Sequence, residues 1–303
     1  MGATESEPLH VLVTMDCLPP EGPDPVPGPT SWEAARRSVE SFCEGLTEAG
    51  LKGTFFIAPE CLKRLKDTVG SLRAAGMELG VLCHPQLSNY QSYLGSYGFD
   101  RQREVVRLDK TVWQDKLGEA PDTFRAGYFS VNDYTYHVLC LEGFSQGSCC
   151  LPGRIDPDQC CMWQKVYPFP HHTDPLDRTI AGTMEFYEAP VTSEFTAKEF
   201  VKAETYTPPH LRIEEPRLGD YAERLVRRQI ERMQEDRTQV RSIVLVTQNT
   251  VRWGAGEDPH LERLSNLSSM LRRAAEQCHM RLAPTTLKGM HEFADSLVKV
   301  PPA

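Results

Sequence analysis

Val11-Leu-Val-Thr-Met-Asp16 is a short apolar, partly β-branched run that ends on a carboxylate. A buried central strand has this form, because both of its faces are covered and the first polar side chain arrives at its C-terminal end. The residues that follow break it. Pro19, Pro20, Gly22, Pro23, Pro25, Pro27, Gly28 and Pro29 make a stiff loop that cannot pair in a sheet, and such a loop above a strand end is a candidate lid or substrate wall. A helix then begins. Thr30 and Glu33 are spaced as a capping box, and Trp32, Ala35, Val39, Phe42, Leu46 and Ala49 recur at three- and four-residue steps until Gly50 stops the helix.

The alternation continues to the end of the chain. Strands are predicted at 54–58, 77–83 (running into His84-Pro85), 123–126, 144–148, 186–191, 243–247 and 280–282, with amphipathic helices at 61–75, 101–117, 133–141, 221–234 and 259–278. In the last helix Asp258 is the expected cap, Pro259 sits at the first helical position, and Leu261, Leu264, Leu267, Leu271, Ala274, Ala275 and Cys278 form the buried stripe. A chain of 303 residues allows two domains or one large barrel. Seven or eight strand–helix units favour the barrel. The expected fold is therefore α/β, a single distorted (β/α) barrel of seven or eight parallel strands over 9–297, with short tails at 1–8 and 298–303. Residues 151–182, rich in Pro, Cys and His, and the similar stretch 198–218 read as excursions over one face of it.

Composition narrows the function. With 40% hydrophobic and 25% charged residues the chain is neither disordered nor fibrous. Its 42 acidic residues against 33 basic ones, a net charge of −9, give no electrostatic reason to expect nucleic acid or an anionic membrane as partner, so a small neutral or carbohydrate ligand is expected. The N-terminal residues lack the basic start and apolar run of an export signal, no later run approaches a membrane span, and the expected location is cytoplasmic. The ten cysteines then read as reduced thiols.

In a barrel the chemistry collects where strands end, since several strands aim side chains at one point. That rule selects Asp16, His84, Arg125, Tyr128, Gln248 and Asn249. An Asp, an Arg and a His meeting in one cleft would let the Arg hold the Asp ionised while the Asp acts as base or metal ligand, an arrangement suited to hydrolysis.

The blocks Val11–Asp16, Gly53-Thr-Phe-Phe-Ile57, Glu78-Leu-Gly-Val-Leu-Cys-His-Pro85, Phe124-Arg-Ala-Gly-Tyr128 with Asn132, Glu142-Gly-Phe144 and Val244-Leu-Val-Thr-Gln-Asn249, in this order and spacing, resemble the polysaccharide deacetylases, hydrolases that remove N-acetyl groups from amino sugars. The resemblance implies a carbon–nitrogen (non-peptide) hydrolase of carbohydrates whose divalent metal, zinc or a similar ion, is held by a carboxylate just after the base Asp and by two histidines. It places Asp16 as base, Arg125 as its partner, and a Tyr128 backbone N–H as donor to the developing oxyanion. A His on the late strand would be the general acid.

The sequence departs from that pattern at the ligands. Cys17 and Leu18 follow Asp16, Leu82-Cys83-His84-Pro85 stands where His-x-His-Pro is expected, and Thr247-Gln248-Asn249 replaces Thr-His-Asn. One imidazole cannot hold zinc, and Gln248 has no titratable proton to give. A divalent metal is thus implied by resemblance and opposed by the residues. Several readings stay open: a buried structural ion pair for Asp16 and Arg125, a core role or a metal role for His84, and a replacement site from Asp16, Cys17, Cys83 and His84, which the period of two opposes unless the strand bulges. Cys149-Cys150, Cys160-Cys161 and His171-His172 could supply a structural zinc, His171 or His172 could instead line the substrate cleft, and Trp253 or Trp163 could stack on a sugar. On this basis the substrate-binding candidates are His172, Gln248, Asn249 and Trp253. A non-catalytic carbohydrate-binding or regulatory barrel is the alternative to the hydrolase.

Overall fold

In chain order the strands are β1 (Pro8–Cys17), β2 (Gly53–Ile57), β3 (Glu78–Cys83), β4 (Thr123–Ala126), β5 (Gln146–Gly147), β6 (Ile155–Asp156), β7 (Cys161–Met162), β8 (His171–His172), β9 (Tyr187–Glu188), β10 (Ser242–Gln248) and β11 (Arg281–Thr285). The α-helices are α1 (Trp32–Glu48), α2 (Lys66–Ala74), α3 (Phe99–Leu117), α4 (Thr135–Leu141), α5 (Leu218–Glu235), α6 (Pro259–Gln277) and α7 (Leu287–Val298). This computed structural model describes residues 6–20, 22–23, 26–196, 205–254 and 259–298.

β1 is the hub, as its apolar run requires. β10 pairs along one edge of it from His10 to Asp16, while β11 takes the first half of β1 and β2 the second half. The sheet continues through β3, β4, β5 and β9, all parallel, so eight strands run one way, with β8 antiparallel at the end. The gap between β9 and β10 is bridged irregularly: Thr192 N–H donates to Val244 O at 3.1 Å, and Val246 N–H donates to Leu211 O at 2.9 Å. The result is a curled parallel sheet, the distorted barrel that the alternation predicts.

Side chains alternate along β1 with period two. Val13, Met15 and Cys17 face the surrounding helices, packing with Val39, Phe42 and Leu46 of α1, whereas Leu12 points the other way and meets Val244, Tyr187 and residues of α7. α7 crosses the N-terminal end of the sheet. Its Leu287 N–H is bonded to Thr54 Oγ1 at 3.1 Å and its Lys288 N–H to Glu78 at 3.0 Å, both at strand starts, and Leu287, Met290 and Ala294 fill the space beneath Leu12. The opposite end, where strands finish, is left for chemistry.

Three expectations need correction. Ser31, not Thr30, caps α1: its backbone is extended (φ −164°), and its Oγ accepts from Ala34 N–H at 3.1 Å. The strands predicted at 144–148 and 186–191 pair over only two residues each, because Phe144 N–H turns back to Leu139 O and Pro190 has no N–H to give. The excursion 151–182, for which no strand is predicted, holds three short ones: β6 and β7 form a small antiparallel ribbon within it, and β8 joins the main sheet. Asp258, the expected cap of α6, lies outside the described residues. All ten cysteines are free thiols, and no helix among the described residues is long and apolar enough to cross a membrane.

Candidate active site

Arg125 organises the C-terminal end of the sheet. Its side chain is 1% exposed, and a buried guanidinium has to place its donors. Nη1 donates to Asp16 Oδ1 at 2.8 Å and to Thr14 Oγ1 at 2.9 Å, while Nε and Nη2 donate to Ser148 O and Ser148 Oγ, each at 2.8 Å. Thr14 passes the bond on to Leu245 O at 2.9 Å, which ties β4, β1 and β10 together. The guanidinium plane lies 4.2 Å from the ring centre of Phe56. Asp16 keeps 26% of its side chain exposed and is the charged end of this chain of bonds that reaches solvent.

His84 follows β3, whose residues alternate as β1 does. Leu82 clusters with Leu18, Val26 and Phe56, Cys83 bonds Asp109 of α3 on the outer face, and His84 turns inward again. Its ring lies against Gly127, where a Cβ would meet ring atoms at 2.3 to 2.6 Å, so that position has room only for glycine. Tyr128 packs edge-on against the same ring with centroids 5.1 Å apart. Burial lowers the His84 pKa to about 4, although the nearby Asp16 carboxylate pulls it upward, so the imidazole is neutral at pH 7. Its Nδ1 is buried without a hydrogen-bond partner among the described residues. Tyr128 and Phe129 both adopt φ of 58°, strained for side chains of that size and fixed by the turn that presents Gly127 to His84.

The structure therefore brings Asp16, His84, Arg125 and Tyr128 together. Gln248 stands in register with Asp16 on the next strand. Asn249 is committed elsewhere: its amide accepts from Leu18 N–H and donates to Leu18 O, each at 2.9 Å, a backbone-like strap between the ends of β10 and β1. That makes it a positioning residue. Trp253 is fully buried, 4.6 Å from Phe42 between ring centres, and offers no face to a sugar. Trp163 is equally buried, with its indole N–H on Phe129 O at 2.9 Å. His172 does not join the group, because β8 carries it to the N-terminal end of the sheet, against His291 and Asp295 of α7.

Cys17 and Cys83 face away from Asp16 and His84, and burial raises both thiols well above their ordinary pKa. The residues that share the inward face with Asp16 and His84 are Leu18 and Leu82, both apolar. One carboxylate and one imidazole walled by leucine do not make a zinc site, so the metal that the resemblance implies does not fit here. Nor do the paired cysteines form a cluster with His171 or His172 among the described residues.

Sequence reasoning missed Thr14, Ser148 and Glu188. Glu188 is wholly buried, accepts from Cys149 N–H (2.8 Å), Cys150 N–H (3.0 Å) and Tyr136 OH (3.0 Å), and burial pushes its pKa up to about 8. A lone carboxylate inside an apolar strand was the available signal. Thr14 shares the period-two face of Asp16, and nothing local marks Ser148.

No family model matches the sequence, and no curated protein matches it either. Solved structures do. A protein from Mycobacterium smegmatis assigned as a polysaccharide deacetylase superposes with a TM-score of 0.60 at 16% identity, over 100% of this chain and 96% of its own. A second protein so assigned, from Pseudomonas aeruginosa PAO1, gives 0.58 at 12% identity over 97% and 92%. An allantoinase gives 0.57 at 12% identity over the same shares. The fold is thus the curled (β/α) barrel that polysaccharide deacetylases adopt. At these identities the likeness speaks for the fold alone.

Proposed function

We propose that the strand-end site is a hydrolytic centre for a non-peptide carbon–nitrogen bond, of the polysaccharide-deacetylase type but worked without a resident metal. The observation that carries this reading is the Arg125–Asp16 pair, in which a fully buried guanidinium, anchored on Ser148 and Thr14, donates through Nη1 to one partly exposed carboxylate at the strand ends. Asp16 takes a proton from water as the water oxygen attacks the acyl carbon. Because Gln248 has no proton to give, the same carboxyl returns that proton to the nitrogen as the carbon–nitrogen bond breaks, releasing an acid and an amine. His84, neutral beside Asp16, positions the water or the acyl group.

The acyl donor is an N-acetylated sugar or a small amide. Deacetylases and an allantoinase match the fold to the same degree, so the fold does not choose between them. The free thiols and the net charge of −9 support a cytoplasmic protein acting on an uncharged ligand.

A second reading, a carbohydrate-binding barrel without turnover, is favoured by Leu18, Leu82 and Gln248 at the positions where the family's ligands and acid are expected. One assay separates the two. Acetate release from N-acetylated amino sugars and ring opening of small cyclic amides are followed with and without a chelator, in wild type and Asp16→Asn. Chelator-resistant turnover that falls at least ~100-fold in Asp16→Asn supports the hydrolase. Saturable sugar binding with no product in either assay leaves the binding barrel.

A further inference from the structure

The N-terminal end of the barrel carries a second cluster of polar groups that the strand-end chemistry does not use. His291 and Asp295 stand one turn apart on α7 and so share a face, and His172 of β8 meets them from the sheet. One ligand atom from each of the three lies within 4.8 Å of the other two.

The hydrogen bonds around the cluster settle which atoms those are. His172 Nδ1 lies 2.9 Å from Met184 O, an acceptor only, so Nδ1 carries a proton and Nε2 is the atom left to ligate. His291 Nδ1 lies 3.0 Å from Gln146 Oε1. That amide is oriented by its other end: Gln146 Nε2 donates to Thr123 Oγ1 at 2.7 Å, and Thr123 in turn donates to Glu78 at 2.6 Å. His291 therefore also carries a proton on Nδ1 and leaves Nε2 to ligate.

Both Nε2 atoms face one carboxylate. His172 Nε2 is 3.5 Å and His291 Nε2 is 3.8 Å from Asp295 Oδ1. These separations exceed the ~2.7–2.9 Å of a charge-assisted hydrogen bond, so neither imidazole is hydrogen-bonded to the carboxylate. They are close to the ~3.4 Å between donor atoms of a tetrahedral zinc with bonds of about 2.0–2.1 Å. Each imidazole also has its Nδ1–H on an oxygen acceptor, the outer-shell arrangement that orients histidine ligands. Asp295 is 45% exposed, so the fourth position opens to water.

We infer that His172, His291 and Asp295 form a zinc site that clamps α7 to the antiparallel edge of the sheet. It is separate from the strand-end site and does not depend on the reading given to it. Imidazole and carboxylate donors in this number suit zinc, whereas magnesium favours octahedral oxygen cages.

The test is calorimetric titration of chelator-stripped protein with Zn²⁺, with Co²⁺ visible absorption as a second reading of coordination. Wild type binds one zinc per chain and melts at a higher temperature with it, and excess Mg²⁺ does not compete. His291→Ala and Asp295→Asn lose the binding and the Co²⁺ bands, while Asp16→Asn and His84→Gln keep both. Asp295→Asn is a half-exposed helical position, so its circular dichroism should stay that of wild type. Absence of stoichiometric zinc in wild type, or binding untouched by Asp295→Asn and His291→Ala, overturns the site. Zinc lost on His84→Gln instead would overturn it and the metal-free reading of the strand-end site together, which distinguishes that failure from a failure of this site alone.

Discussion

Arg125 and Asp16 make unequal contributions to the same ion pair. Removing the guanidinium strands a carboxylate, the Thr14 hydroxyl and both oxygens of Ser148 around an empty space. Removing only the charge of Asp16, partly hydrated already, leaves the other three bonds of Arg125 in place. Arg125→Ala is therefore expected to cost about 3–5 kcal/mol of unfolding free energy, and Asp16→Asn about 1 kcal/mol, as measured by urea denaturation. A smaller loss for Arg125→Ala than for Asp16→Asn would contradict the account. The residues of this pair were legible in the sequence, because each ends or nearly ends an apolar strand. Thr14 was not, since a threonine in a strand is ordinary, and it became a partner only when β4 brought a guanidinium to its side of β1.

Between elements, the strap at Asn249 shows a limit of reading by position. A strand-end Asn facing a cleft looks like a ligand-binding residue, yet its amide copies a backbone ladder and carries β10 onto Leu18 after regular pairing with β1 ends at Asp16. Asn249→Ala leaves a buried N–H and C=O of Leu18 unpaired, a cost of about 2–4 kcal/mol. Where Leu18 leads the inward apolar cluster, the loss should also loosen the position of Asp16, seen as a broadened Asp16 carboxyl resonance in NMR. A stability change below about 0.5 kcal/mol would show that water replaces the amide. Similarly, Cys17 and Cys83 could be ruled toward or away from Asp16 only by strand geometry. With no bulge on β1, the period of two sends both outward.

For the molecule as a whole, buried histidines set the acid limb of stability. His10, His84, His171 and His210 are each lowered to about 4, first of all by burial, from about 6.5 when unfolded. Between those values the unfolded chain binds more protons, so their contribution is present above pH 6.5 and lost as the pH falls toward 4. Glu188, raised to about 8, works in the opposite sense: its contribution is present below about pH 4.5 and lost as the pH rises through 8. Asp109, raised by burial, acts in the same sense as Glu188, but near pH 5.5 the lowered imidazoles outnumber these carboxyls, so unfolding takes up protons and stability falls on acidification. Urea midpoints should then peak close to pH 6.5–7 and fall on both sides. A flat profile from pH 5 to 7 would show that these imidazoles are hydrated in the folded protein.

The barrel and the members of its strand-end site are written in local sequence. Apolar runs closed by polar residues, separated by helices of regular period, admit few other folds, and Asp16, His84 and Arg125 were read from that pattern. Their surroundings are set by packing between distant elements. It set Leu18 and Leu82 beside Asp16 and His84, turned Asn249 and Trp253 inward to structural tasks, and carried His172 to the far end against His291 and Asp295. Periodicity records which face a side chain takes along its own element. Which distant side chain meets it there depends on how strands register and where the last helix lies, and no local stretch of residues encodes that meeting.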